Sequence, residues 1–118
     1  RLADCIEQTQ ADLIESNLFG PIIGHVGDGN FHVALTADPS DHAELEAMGA
    51  FHSRLVARAL AMEGTCTGEH GIGIGKIGYL VDELGENSVS VMATIKRALD
   101  PHGILNPGKV IADVVREN

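Results

Sequence analysis

Apolar residues recur at Leu2, Ile6, Leu13 and Ile14 with polar residues between them, a spacing near 3.6 that predicts a helix from residue 2 to about 18. Phe19-Gly20-Pro21 supplies its expected stop, since glycine accepts the backbone angles that end a helix and proline cannot continue one. Beyond it the period changes. Residues 21–25 and 31–36 are short β-favouring runs around Gly27-Asp28-Gly29-Asn30, which predicts an antiparallel hairpin. With Asp28-Gly29 at the centre of a type I′ turn, Gly27 faces Asn30, Val26 faces Phe31 and His25 faces His32. Alternation then gathers Ile22, Val26, Phe31, Val33 and Leu35 on a core-facing side and leaves both imidazoles on the other, with Ile23 and Ala34.

A second helical pattern covers residues 41–63, with Leu45, Met48, Leu55, Ala59 and Met62 on one face. Asp41 is its expected cap, and Glu44 three residues on completes a capping box. A glycine-rich segment, 64–78, follows. A last helix from about 86 to 99 carries Val89, Met92, Ile95 and Leu99 on one side and is closed by Asp100-Pro101, because the residue before proline is pushed out of helical geometry. Residues 106–109 read as a turn.

Composition narrows the function. The chain has 118 residues, 44% of them hydrophobic, enough for one modest core. With no Trp, one Tyr and three Phe there is no base-stacking surface, and a net charge of −9 repels phosphate backbones and anionic membranes. Nucleic acid is therefore not expected as a partner. Cys5 and Cys66 form no CxxC pair, which points to a reducing, cytoplasmic setting. No apolar run approaches the roughly 20 residues of a membrane helix. The chain opens on Arg1 and runs straight into a helical pattern, so we expect a piece of a longer protein.

Two constellations carry chemistry. Two imidazoles converging from a hairpin are a common beginning of a transition-metal site; the alternative is a pair of surface histidines on an exposed face. In Cys66-Thr67-Gly68-Glu69-His70-Gly71, glycines allow a sharp turn that presents Glu69 and His70 in different directions. Two histidines and one carboxylate would leave a metal position open, as in catalytic sites, with Glu69 as third ligand and His70 as a base. The alternative is a tight loop in which Glu69 serves only as a charge at a helix start. Residues 71–76 lack the spacing of a phosphate-binding loop. Cys66 reads as a small buried thiol, and His42, His52, His102, Lys76, Lys109 and Arg97 receive no role.

Three blocks taken in order, GHVGDGNFH at 24–32, GTCTGEHGIGIGK at 64–76 and LDPHGILNPGK at 99–109, closely resemble the C-terminal domain of the flavin-dependent D-lactate dehydrogenase (cytochrome) and glycolate oxidase large-subunit family. The resemblance spans nearly the whole chain. It implies an α+β fold, a ferredoxin-like antiparallel sheet with helices packed on one face, within a two-domain enzyme whose N-terminal domain holds FAD. It further implies that His25, His32 and Glu69 bind a divalent metal, usually zinc, that His70 takes the substrate hydroxyl proton, and that Asn106 lies near the flavin ring. The implied substrate is a small 2-hydroxy acid, with Ala34 standing where dicarboxylate-using relatives carry a polar Asn. The piece alone would be inactive, and a parent enzyme peripheral to the inner membrane is compatible. Two other readings stay open: a self-contained metal hydrolase using the same ligands, and a non-catalytic association module able to form a homodimer.

Overall fold

The computed structural model describes residues 1–111. Among them are four α-helices and one two-stranded antiparallel sheet, a mixed α/β arrangement. The chain forms two compact units, the first running from Arg1 to Gly68 and the second taking up the chain at Glu69. The first contains α1 (Leu2–Glu15), β1 (Ile22–His25), β2 (Asn30–Val33) and α2 (His42–Ala61); the second contains α3 (Leu80–Leu84) and α4 (Glu86–Leu99).

Helix α1 ends earlier than the apolar spacing predicts, because Asn17 rather than Gly20 provides the stop. Asn17 takes φ +52, its amide donates to the Ile14 carbonyl at 3.1 Å, and the Leu18 amide reaches back to Leu13 at 3.0 Å. That pair of bonds satisfies carbonyls the helix would leave open, and asparagine tolerates the left-handed angle better than most residues. Helix α2 ends on the same motif, with Glu63 at φ +64 and the Gly64 amide donating to Ala59 at 2.8 Å. At its other end, the Asp41 carboxylate accepts from the amides of Ala43 and Glu44, both at 3.0 Å. Glu44 does not close a box on Asp41. Its carboxylate accepts from the Asp38 amide at 2.7 Å and so orders the loop before the helix.

The faces turned inward differ from the predicted ones in an instructive way. On α1 the buried residues are Cys5, Thr9, Asp12 and Leu13, while Ile14 is exposed. Two of those four are polar because α1 packs on α2 through a charged cluster. Asp12 accepts from Arg54 Nη2 at 2.6 Å and from Arg58 Nη2 at 2.7 Å. Arg58 Nη1 also donates to Thr9 Oγ1 at 3.0 Å, and the Thr9 hydroxyl in turn donates to the Cys5 carbonyl at 2.7 Å. On α2 the deepest side chain is Phe51, only 1% exposed and absent from the predicted stripe, with Val56 beside it in the core. On α4, Ala93 is buried and Val89, Met92 and Lys96 are half-buried, whereas Ile95 and Leu99 face outward. The inward stripe is thus rotated about one residue from the most apolar one.

Strand β2 turns Val33 towards α2. Val33 and Leu35, with Met48, Phe51 and Leu55 of the helix, line a groove of about 480 Å³. One face of the hairpin therefore belongs to the apolar side of its unit, and the other is left for chemistry.

Candidate functional site

The hairpin register is Ile22 opposite Val33, Ile23 opposite His32, Gly24 opposite Phe31 and His25 opposite Asn30. The predicted pairing of His25 with His32 is corrected: the turn is not a two-residue one but spans Val26 to Gly29, with a 3₁₀ turn over Val26–Asp28 and Gly29 at φ +72. The Gly29 amide closes it by donating to the Val26 carbonyl at 3.2 Å. Val26, predicted to face the core, is exposed in this turn. The register differs from the expected one by two residues, and side chains alternate with a period of two, so the residues that remain in the strands keep their faces. His25 and His32 become diagonal neighbours, still within reach of each other. Their rings meet edge to face, with centroids 5.7 Å apart and planes at 86°.

Glu69 arrives from the chain immediately after the first unit. Cys66, only 3% exposed, pins the loop. The Thr67 amide donates to Thr65 Oγ1 and the Thr67 hydroxyl to the Gly68 carbonyl, both at 3.0 Å. A 3₁₀ turn, Gly68–His70, follows, with Gly68 at φ +55. Three residues per turn send consecutive side chains about 120° apart, so Glu69 and His70 leave the backbone in different directions. One ligand atom from each of His25, His32 and Glu69 then falls within 4.8 Å of the other two. His25 and Glu69 are exposed and His32 is half-buried. His70 is exposed, its Nε2 lying 3.5 Å from Glu69 Oε1.

These donors fit a divalent cation of the zinc type. Two imidazoles and a carboxylate are the ligand set of an open catalytic site, and donors about 2.1 Å from a common ion are about 3.4 Å apart in a tetrahedral arrangement. The three ligand atoms all lie within 4.8 Å of one another, no more than about 1.4 Å beyond that separation.

Asn106 lies in the second unit, at φ +49 in the loop after α4. That loop is organised by Asp100, a buried carboxylate that accepts from the amides of Ile104 at 3.0 Å and Leu105 at 2.9 Å and from Lys96 Nζ. The Lys96 ammonium, against the opposing effect of burial and aided by the two amides, holds the Asp100 carboxyl below the usual carboxylate range. The Val110 amide donates to the Gly73 carbonyl at 2.8 Å, tying the end of this loop to the glycine-rich segment. Sequence reasoning assigned Asp100 only to closing the helix. Its two amide partners four and five residues on are the pattern that could have revealed the larger role.

Residues 1–110 match the family model for the C-terminal domain of FAD linked oxidases. The chain belongs to that family. Within the curated relatives, the chain is 53% identical over 111 residues to a probable mitochondrial D-lactate dehydrogenase of Danio rerio, covering 94% of this chain and 22% of that protein. It is 49% identical over 106 residues to mitochondrial D-lactate dehydrogenase [cytochrome] 1 of Saccharomyces cerevisiae, covering 89% and 18%. The glycolate oxidase subunit GlcD of Bacillus subtilis is 39% identical over 94 residues, 80% of this chain and 20% of that one. The chain thus spans about a fifth of the length of these family members. Among the described residues, no helix is long and apolar enough to cross a membrane.

Proposed function

We propose that the protein containing this chain is a flavin-dependent D-2-hydroxyacid dehydrogenase, oxidising D-lactate or a similar small acid to the 2-oxo acid. The observation that carries the proposal is the meeting of His25, His32 and Glu69, with His70 next in the chain, in a member of the FAD linked oxidase family. His25, His32 and Glu69 would hold a divalent metal, zinc in the simplest case, whose Lewis acidity makes the substrate hydroxyl easier to deprotonate. FAD, held mainly by the rest of the protein, supplies the acceptor for the hydride leaving the substrate carbon.

What remains is work for this chain's own side chains. His70 takes the hydroxyl proton, its imidazole standing beside the Glu69 carboxylate with Nε2 3.5 Å from Oε1. Ala34, two residues beyond His32, carries only a methyl group, which suits a small monocarboxylate rather than a second charged arm. Asn106 is assigned to the flavin side, on a loop that Asp100 keeps in one shape. The two thiols form no disulfide and suit a reducing compartment. The mitochondrial location in the names of two relatives is compatible with that.

The test uses the full-length protein. His70→Gln is expected to lower D-lactate turnover with an artificial electron acceptor by about 10² to 10⁴-fold while FAD content stays at the wild-type level. Wild-type turnover in that variant would remove His70 from the chemistry. Hydrolysis of ester or phosphate substrates by flavin-free protein would instead favour a metal hydrolase.

A further inference from the structure

Gly68 precedes Glu69 directly, and a methyl group added to its Cα would lie 2.9 Å from Asn30 Oδ1, 3.5 Å from Cγ and 3.6 Å from Nδ2. The space a side chain would take at Gly68 is thus already filled by the carboxamide of one side chain. Asn30 is half-buried at the start of β2 and stands opposite His25 in the ladder. It is two residues from His32, so alternation puts it on the imidazole face. One side chain is therefore paired with the first histidine, shares a strand face with the second, and fills the space beside the residue that precedes Glu69.

We infer that Asn30 is a positioning residue for the metal site. Its carboxamide is the stop that sets how near the Gly68 backbone comes to the hairpin, and through one peptide bond it sets where the Glu69 carboxylate meets the two imidazoles. Gly68 is required on the other side of the contact, because a side chain there meets Asn30 and φ +55 is strained for any L-residue with a Cβ. A neutral carboxamide suits the place: a larger apolar group would push the loop outward, and a shorter one would leave Glu69 free to wander. The inference rests on the metal reading above.

The experiment measures zinc content of the full-length protein after equilibrium dialysis against chelator-buffered zinc, alongside FAD content and urea midpoint. His25→Ala and Glu69→Gln serve as controls. Asn30→Ala is expected to bind zinc about tenfold more weakly, the usual scale for a group that orients a ligand, with FAD content and midpoint unchanged. Gly68→Ala is expected to weaken binding similarly, and the double variant no further than Gly68→Ala alone, because both changes act on the same contact and Asn30→Ala removes what the added methyl would meet. Wild-type zinc affinity in Asn30→Ala, with the two controls impaired, would overturn the inference alone. So would losses that simply add in the double variant. If His25→Ala and Glu69→Gln also keep wild-type affinity, the metal reading falls and takes this inference with it.

Discussion

Glu63 takes φ +64 in the turn that ends α2, a conformation that costs a residue with a Cβ roughly 1–2 kcal/mol. Glycine there escapes that cost but gains freedom in the unfolded chain worth roughly 0.5–1 kcal/mol. Glu63→Gly should therefore stabilise the chain by about 0.5–1 kcal/mol, seen as a higher urea midpoint at unchanged slope; a lower midpoint would mean the glutamate makes a contact worth more than the strain. Asp100→Ala should free the amides of Ile104 and Leu105, and their hydrogen exchange should accelerate at least about tenfold while that of α4 does not. At this scale the sequence was most readable where residue type and chemistry coincide: His25, His32 and Glu69 stand out by ligand type, and the structure brings them together. Asn30 and Thr67 were not readable, because their value lies in contacts with residues far along the chain or with backbone atoms that any sequence possesses.

The α1–α2 pair shows what governs stability between elements. Arg54 chiefly, then Arg58 and Ser16, lower the Asp12 carboxyl from 3.8 to about 2, against the opposing effect of burial. A carboxyl lowered on folding contributes its stability fully above its ordinary value and loses it as pH falls through the folded one. Between about pH 4 and pH 2 the chain should thus lose on the order of 1–2 kcal/mol through this group, a loss that Asp12→Asn should not show in acid titrations of the urea midpoint. Asp12→Ala at neutral pH should cost about 3 kcal/mol, since it strands the largely buried Arg58 guanidinium at a packed seam. Arg54→Ala should cost less, about 1 kcal/mol, because Arg54 is half exposed and water already screens it. No periodicity argument finds this seam, which counts apolar residues and so passes over Thr9 and Asp12 in favour of Ile14. The hairpin was legible for a different reason. Its turn was assigned the wrong length, yet an error of two residues leaves the imidazoles on one face, whereas an error of one would have sent them apart.

At the scale of the molecule, helices α2 and α4 and the antiparallel hairpin were readable because their patterns are long or marked by strong turn residues. The short α3 was not, since five residues carry too little periodicity to register. Chelation should test the site as a unit: prolonged dialysis of the full-length protein against a strong chelator is expected to abolish D-lactate turnover, zinc to restore it, and the flavin spectrum to stay unchanged throughout. Persistent turnover in metal-free protein would leave the three ligands without their proposed task. One feature of α4 has a practical side. Val91, Ile95 and Leu99 stand one helical turn apart and are all more than half exposed, on a chain whose net charge is −9. The purified polypeptide should therefore be retained on a phenyl resin in ammonium sulfate and on a quaternary-amine resin in dilute buffer, and Ile95→Lys should shorten its residence on both columns.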